Sequence, residues 1–150
     1  MVAIDTDVLI LAFAFQRDPR QSLNEQFLSQ VQDQTPVVAI YTVMELLGKF
    51  SFNLSADRLA QWPLWLQERW QLTVIYPQTL GLDATLFFQQ TFVDRPFRKM
   101  QAAGMPFLDA LILNLVEESG ADSLVTWNAR RFAKKTTLPV FTPAEYLQHF

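Results

Sequence analysis

The side chains best suited to do chemistry form an acidic triplet near the start of the chain, Asp5-Thr6-Asp7. An apolar run at 2–4 leads directly into Asp5, and a second apolar stretch at 8–14 follows Asp7. A short continuous apolar run is typical of a strand buried on both faces. Asp5 would then lie at the carboxyl end of a strand, where ligands bind in open α/β sheets. The alternative is that both acids only start the following helix, because carboxylates stabilise helix N-termini.

Three further oxygen-bearing side chains are expected at the same edge of the sheet. Glu45 lies in the first turn of the helix after a predicted strand at 37–40, and Asn128 follows a predicted strand at 123–126. Asp109 lies in the first turn of a helix that runs antiparallel to the strands, so this turn faces the same edge. Carboxylates gathered in this way repel one another unless a cation lies among them or protons are taken up. Oxygen ligands suit Mg²⁺ or Mn²⁺, which could activate water for phosphate hydrolysis.

Each of these residues also has a purely structural explanation. Thr42 and Glu45 fit a capping box, in which each side chain satisfies a free backbone donor. Asp109 could be a favourable charge in a first helical turn, and Asn128 is a preferred N-cap residue. Their joint placement at one edge favours a site. Asp122 precedes the fourth predicted strand, so it belongs to the opposite edge and is excluded.

Strands alternate with helices along the whole chain. Strands are predicted at 2–4, 37–40, 72–76, 123–126 and 139–141, and helices at 8–14, 20–33, 43–52, 55–70, 80–92, 106–119, 129–135 and 143–150. This alternation predicts one α/β domain over 1–150, with a parallel sheet of about five strands covered by helices on both faces. Residues 93–104 are basic and contain Pro96 and Gly104, so we expect a surface connection there. Pro63 should kink or split its helix.

Local signals mark the faces and ends of several helices. The apolar face of the helix at 20–33 is predicted to consist of Leu23, Phe27, Leu28 and Val31. Pro106 should open the following long helix and Gly120 should end it. Thr142 and Glu145 fit another capping box at the start of the last helix.

Composition limits the classes of partner and compartment. The chain has 12 Lys and Arg against 15 Asp and Glu, which is not the footprint of binding nucleic acid through bulk charge. Local basic runs could still contact an RNA backbone or could simply be solvated: Arg130, Arg131, Lys134, Lys135, Arg95, Arg98 and Lys99. His149 is the only histidine and lies at the far end of the chain, so we do not expect a histidine base.

The chain has no Cys, which excludes disulfides and thiolate metal sites and fits a reducing compartment. We find no signal peptide and no apolar stretch long enough to span a membrane, so we expect a cytoplasmic protein. Thirteen Phe and four Trp are more than a monomer of this size is expected to hide, which suggests a homodimer. Trp62, Trp65 and Trp70 are expected in core and dimer packing rather than in base stacking.

Four motifs in order resemble those of the PIN domain family, and the match covers the whole chain. IDTDVL resembles the family's opening Asp-Thr-Asn/Ser motif, and TVMELL resembles its Glu-bearing second motif. FLDALIL resembles the central Asp motif, and LVTWNARRF resembles the closing Thr-x-Asp/Asn…Phe motif. The resemblance implies a parallel sheet of strand order 3-2-1-4-5. It also implies a metal-dependent ribonuclease, often the toxin of a toxin–antitoxin pair.

The resemblance assigns roles to individual residues. The metal-binding acids would be Asp5, Glu45 and Asp109. Thr6 and Thr126 match the motif hydroxyls that orient ligands. Asn128 stands where many members have a further Asp, so a second metal would bind weakly and one ion is expected. Asp7 replaces the usual Asn or Ser and could partly restore the lost charge.

The leading hypothesis is therefore an endoribonuclease that cuts RNA with Mg²⁺ or Mn²⁺ and has a cognate antitoxin as its partner. An alternative is a PIN-like module that binds RNA or protein without turnover, which the neutral Asn128 and the acidic total charge favour. A third is a haloacid-dehalogenase-like phosphatase, because DTDVL also matches that family's opening Asp-x-Asp motif. That family resemblance calls for a late Gly-Asp motif, and the chain contains no Gly-Asp pair.

Overall fold

Five short strands form one parallel sheet in the computed structural model, which describes residues 1–149. They are β1 (Val2–Ile4), β2 (Val37–Ala39), β3 (Thr73–Ile75), β4 (Ser123–Val125) and β5 (Val140–Phe141). Their order across the sheet is β3-β2-β1-β4-β5, and every neighbouring pair is parallel. The predicted α/β class and the predicted strand order are both confirmed. β1 lies at the centre, so the residue that follows it is surrounded by the ends of its neighbours.

Helices connect the strands and cover the sheet. They are α1 (Thr6–Ala14), α2 (Gln21–Gln30), α3 (Ile40–Phe50), α4 (Ala56–Ala60), α5 (Trp62–Trp70), α6 (Ala84–Phe88), α7 (Arg95–Ala103), α8 (Phe107–Glu118), α9 (Ala129–Phe132) and α10 (Pro143–His149). A 3₁₀ turn at Gln32–Gln34 follows α2, and a π-helical segment at Gln89–Asp94 joins α6 to α7. Within residues 1–149, every helix is too short or too polar to cross a membrane.

The central strand contributes to an apolar core on each face of the sheet. Val2 and Ile4 are buried in one cluster with side chains of α1, α2 and α5, whereas Ala3 is buried in the other with side chains of α8. Successive side chains of a strand point to opposite faces, so this is the pattern of a strand covered on both sides. The carboxyl end of β1 is therefore held rigidly from above and below.

Several predicted element boundaries are confirmed. Pro63 lies in the first turn of α5 and separates it from α4, as the split-helix prediction required. Gly120 follows α8 with a φ of +73°, the left-handed conformation that glycine adopts without strain. The predicted capping box at α10 is present, because the Thr142 amide donates to Glu145 at 2.7 Å and the Glu145 amide donates to the Thr142 hydroxyl at 3.2 Å.

The predicted capping box at Thr42 and Glu45 is wrong. Helix α3 begins at Ile40, directly after β2, so Thr42 lies inside the helix and is fully buried. The side chains of Ile40 and Tyr41 pack against the core beside α8, which draws both residues into the first helical turn. This packing outweighs a capping preference of about 1 kcal/mol. As a result, Glu45 lies beyond the first turn of α3, and its carboxylate does not cap the start of the helix but is available for contacts with other segments.

The prediction of a surface connection at 93–104 is also wrong. This segment continues the π-helical turn and forms α7, which packs along α8. Pro96 lies in the first turn of α7, where a missing backbone donor is tolerated, and its ring is buried. Gly104 ends the helix with a φ of +59°. The two residues expected to break the chain therefore mark the two ends of a helix.

The apolar face predicted for α2 is wrong at one position. Leu23 is 41% exposed, whereas the neighbouring Asn24 is completely buried. Its side-chain amide donates to the Val8 carbonyl at 3.0 Å, and its oxygen accepts from the indole nitrogen of Trp127 at 2.7 Å. Asn24 therefore ties α1 and α2 to the loop that follows β4.

We expect Asn24→Ala to lower the free energy of unfolding by about 1–3 kcal/mol, because it leaves the Trp127 indole N–H without its partner. Urea denaturation followed by circular dichroism measures this loss. Gln26→Ala, on the exposed side of the same helix, is the matched control and should change stability by less than about 0.5 kcal/mol. Equal effects of the two substitutions would show that Asn24 does not tie these segments together.

Candidate functional site

Asp5 lies where the sequence predicts it, immediately after the central strand, and only 6% of the residue is exposed. Its amide donates to the Val125 carbonyl at 3.0 Å, and its carboxylate caps α1 by accepting from the Thr6 amide at 2.8 Å. Burial, followed by the nearby charge of Asp7, raises the pKa of Asp5 to about 7. The site therefore contains a carboxyl group that exchanges its proton near neutral pH.

Glu45 reaches the same region from α3. Its carboxylate accepts a 2.6 Å hydrogen bond from the Thr6 hydroxyl and a 2.9 Å hydrogen bond from Lys49 one turn further along the helix. Burial alone would raise the pKa of Glu45, but the hydrogen bonds from Thr6 and Lys49 outweigh it and lower the pKa overall. Thr6 thus joins the first two acids, because its amide binds Asp5 and its hydroxyl binds Glu45.

Asp109 lies in the first turn of α8 and is 4% exposed. Both of its carboxylate oxygens accept hydrogen bonds from Arg131, at 2.5 Å from Nε and 2.6 Å from Nη2. Burial raises the pKa of Asp109, the Arg131 guanidinium lowers it, the charge of Glu45 raises it, and the net direction is upward. The shared electrostatic influence of Glu45 on Asp5 and Asp109 places the three acids in one neighbourhood.

Asp7 has a positioning role that its sequence motif did not reveal. Its carboxylate accepts from the Thr126 hydroxyl at 2.9 Å, from the Trp127 amide at 3.0 Å and from the Asn128 amide at 3.1 Å. A single acid in the first turn of α1 therefore orders the whole loop that follows β4. Asn128 is exposed, and its backbone amide is held by Asp7, while its side chain makes no hydrogen bond within residues 1–149.

The donor atoms meet, but they are not arranged around one ion. In residues 1–149, no group of three carboxylate or imidazole side chains is placed so that it could hold a metal. The contacts give the reason, since Asp109 is turned toward Arg131 and Glu45 is bound by Lys49. Asp122, which was excluded from the site, pairs with the amino terminus of Met1 at the opposite edge of the sheet.

The predicted basic residues fall into two groups. Near the site, Lys135 donates to the Gly104 carbonyl at 2.9 Å. Burial is the main cause of the raised pKa of Asp109, and the charge of Lys135 partly opposes that rise. Exposed side chains on or just after α9 are Arg130 and Lys134. Arg98 is exposed on α7.

The remaining two predicted basic residues lie away from the site. Lys99 pairs with Glu117 at 2.7 Å, and Arg95 pairs with Glu118. Both acids lie near the end of α8, eight or more residues beyond Asp109, which is about 12 Å along the helix axis. The structure therefore does not bring these two cations to the acidic cluster.

A separate apolar groove of about 650 Å³ runs between α1, the end of α3 and α5. It is lined by Phe13, Ala14, Phe50, Asn53, Leu54, Arg58, Gln61 and Trp65. The ring centroid of Phe13 lies 4.8 Å from that of Trp70, which is buried in the core as predicted. Next to this groove, Phe52 is 88% exposed. An apolar surface of this size with an exposed aromatic side chain beside it is typical of an interaction site.

No protein-family model matches this sequence, and no curated protein matches it. Solved structures do share its fold. VapBC2 from Rickettsia felis, bound to a DNA fragment from its promoter, has a TM-score of 0.63 at 15% identity, with 95% of this chain and 98% of that chain covered. VapBC-1 from nontypeable Haemophilus influenzae has a TM-score of 0.63 at 18% identity, with 96% and 99% covered.

A toxin–antitoxin complex from Klebsiella pneumoniae has a TM-score of 0.59 at 19% identity, with 95% of this chain and 98% of that chain covered. In all of these comparisons almost the whole of both chains is aligned, so no large element is missing or added. Identities this low establish likeness of fold alone. The chain therefore has the PIN-like α/β fold that its four motifs predict.

Proposed function

We propose that this chain is a metal-dependent endoribonuclease that hydrolyses RNA phosphodiester bonds, and that it is the toxin of a toxin–antitoxin pair. The observation that carries the proposal is that acids from three distant segments, Asp5, Glu45 and Asp109, lie together at the carboxyl edge of the sheet. The fold shared with the Klebsiella pneumoniae toxin–antitoxin complex supports the second part of the proposal.

The chemistry of the donor set fits Mg²⁺ or Mn²⁺. The side chains at this edge offer carboxylate, hydroxyl and amide oxygens, while the chain has no Cys and its one His is residue 149. Hard divalent cations prefer such oxygen ligands. An ion bound by Asp5, Glu45 and Asp109 would polarise the phosphate and make water a better nucleophile.

The other residues of the site position these acids. Thr6 holds Asp5 and Glu45 at a fixed separation through its amide and its hydroxyl. Asp7 holds the loop that carries Asn128, whose exposed side-chain amide is available to bind water or, through its NH₂ group, a phosphate oxygen. Arg130 and Lys134 are exposed beside this loop and are suited to binding the RNA backbone.

A second function is a PIN-like module that binds RNA or protein without cleaving it. The observation that favours it is that, within residues 1–149, no three acidic side chains are arranged to hold an ion. The neutral Asn128, where the resembling family often has Asp, points the same way. The two functions make different predictions: the nuclease cleaves RNA and needs Asp5 and Asp109 to do so, whereas the binding module does not cleave RNA at all.

We expect Asp5→Asn and Asp109→Asn each to reduce the cleavage of single-stranded RNA in Mn²⁺ by at least about a hundredfold, because each removes a charged ligand of the ion. The measurement is gel-resolved cleavage of a labelled RNA with purified protein. Asp122→Asn, at the opposite edge of the sheet, is the control and should cleave like the wild type. Cleavage that survives both site substitutions would disprove the site, and RNA binding without cleavage by the wild type would favour the binding module.

The raised pKa of Asp5 predicts a pH dependence of stability. The unfolded chain loses this proton near the ordinary value of 3.8, whereas the folded chain keeps it until about pH 7. The stabilisation is therefore fully present below about pH 4, is lost progressively as the pH rises from 3.8 to about 7, and changes no further above that, with a total loss of roughly 2–4 kcal/mol. Urea unfolding between pH 4 and pH 8 should show this fall in the wild type, with a plateau above about pH 7, and much less of it in Asp5→Asn. Parallel pH profiles for the two proteins would contradict the assignment.

For the antitoxin, we propose the apolar groove between α1 and α5 as the docking surface. Its walls are apolar and aromatic, and Arg58 adds one positive charge at the rim, which suits an amphipathic segment with an acidic residue. The groove does not include any of the three acids, so a partner could bind there while the acidic site holds a metal ion or RNA. The homodimer expected from the aromatic content stays a prediction.

We expect Leu54→Glu to abolish co-purification of the protein encoded by the adjacent reading frame, because it places a charge in the apolar groove. The two proteins would be co-expressed, and capture through a tag on this chain would be quantified. Leu80→Glu is the matched control, since Leu80 is 73% exposed and lies outside the groove. Undiminished capture by Leu54→Glu, or an equal loss with Leu80→Glu, would remove the groove from the proposal.

A further inference from the structure

Arg131 forms a bidentate ion pair with Asp109 within the acidic site. Two nitrogens of one guanidinium edge bind the two oxygens of one carboxylate, which is the parallel geometry of the strongest charge-assisted pairs. The acid is almost completely buried, with 6% of its side chain exposed, whereas 43% of the Arg131 side chain is exposed. The pair therefore spans the boundary between the site and the solvent.

The position of Arg131 in the fold makes this contact specific. Arg131 lies in α9, the short helix that follows Asn128, and its charge also acts on Glu45 across the site. Its neighbour Arg130 lies on the same helix turn, is exposed, and forms no ion pair with any residue of the described chain. Thus one of two adjacent arginines is directed into the acidic cluster and the other is directed to solvent.

We propose that Arg131 is a built-in counter-ion that occupies the position of a divalent cation on Asp109 and must release this carboxylate before an ion can bind there. This inference rests on the proposed metal dependence. Both oxygens of Asp109 already accept from the guanidinium, so an ion and Arg131 compete for the same lone pairs. Because only molecules with a free Asp109 can bind the ion, the apparent affinity equals the intrinsic affinity multiplied by the fraction of such molecules.

The same arrangement gives Arg131 a second position when it leaves Asp109. Its side chain is long and 43% exposed, and its backbone lies in α9, close to Asn128. A released guanidinium would stay at the entrance of the site, where it can bind a phosphate in the same bidentate geometry that it uses for the carboxylate. Arg131 would thus exchange an internal acid for the RNA backbone as the ion enters.

The test compares Mn²⁺ binding to the wild type, Arg131→Gln and Arg130→Gln by isothermal titration calorimetry at pH 7.5. We expect Arg131→Gln to bind Mn²⁺ roughly tenfold more tightly, because the ion no longer displaces a charge-assisted pair. Arg130→Gln removes the same charge from the same helix without touching Asp109, and it should tighten binding by less than about threefold. Arg131→Lys keeps the charge but loses the bidentate geometry, so its affinity should lie between those of the wild type and Arg131→Gln.

Thermal unfolding in EDTA gives a readout that does not depend on metal. Arg131→Gln leaves the buried Asp109 carboxylate without its partner, so it should melt at a lower temperature than the wild type, whereas Arg130→Gln should not. Added Mn²⁺ should then raise the melting temperature of Arg131→Gln more than that of the wild type.

The outcomes separate this inference from the function on which it rests. If Mn²⁺ binds the wild type and Arg131→Gln with equal affinity, or binds Arg131→Gln more weakly, the counter-ion role is wrong and the metal-dependent function stands. If Mn²⁺ binds none of these proteins, both the metal dependence and the counter-ion role are wrong. Equal tightening by Arg130→Gln and Arg131→Gln would show a general charge effect and would also overturn the inference.

Discussion

The arrangement of the site depends on one threonine held between two carboxylates. The Thr6 amide donates to Asp5 and the Thr6 hydroxyl donates to Glu45, and the residue itself is 3% exposed. Hydrogen bonds to charged acceptors are stronger than neutral ones, and they gain further strength where water is excluded. This pair of bonds joins the end of the central strand to α3. Two acids that lie forty residues apart in sequence are therefore linked through a single residue, whose backbone amide binds one and whose hydroxyl binds the other.

Buried carboxylates carry a cost, and the chain offsets it in different ways at each acid. Asp5 forms no ion pair within residues 1–149 and has a raised pKa, Glu45 is bound by Lys49, and Asp109 is bound by Arg131. Arg131, one of the basic residues predicted to contact RNA, is therefore used in an ion pair inside the site. The acidic total charge of the chain is consequently a poor guide to its partners, since several acids and cations neutralise one another at one place.

The features of this protein that the sequence predicts are those set by neighbouring residues, and the features that it misses are set by contacts between distant segments. The buried strand before Asp5 is visible as an apolar run, and the alternation of strands and helices correctly predicts a parallel α/β sheet, whereas the strand order is predicted correctly only through the resemblance of the four motifs to the PIN domain family. The capping box at Thr42 fails because tertiary packing of the preceding residues begins α3 earlier. The burial of Asn24 could have been predicted, since it lies three residues before Phe27 in α2 and therefore on the same buried face of the helix. The pairing of Arg131 with Asp109 joins separate helices, and nothing local in the sequence signals it.

The most direct test of this account is anomalous diffraction from a crystal of the protein soaked in Mn²⁺. The account predicts one strong anomalous peak within coordination distance of Asp5 and Asp109, with the Arg131 guanidinium moved away from Asp109. A well-diffracting soaked crystal with no peak at this edge of the sheet, and with Arg131 still bound to Asp109, would contradict it.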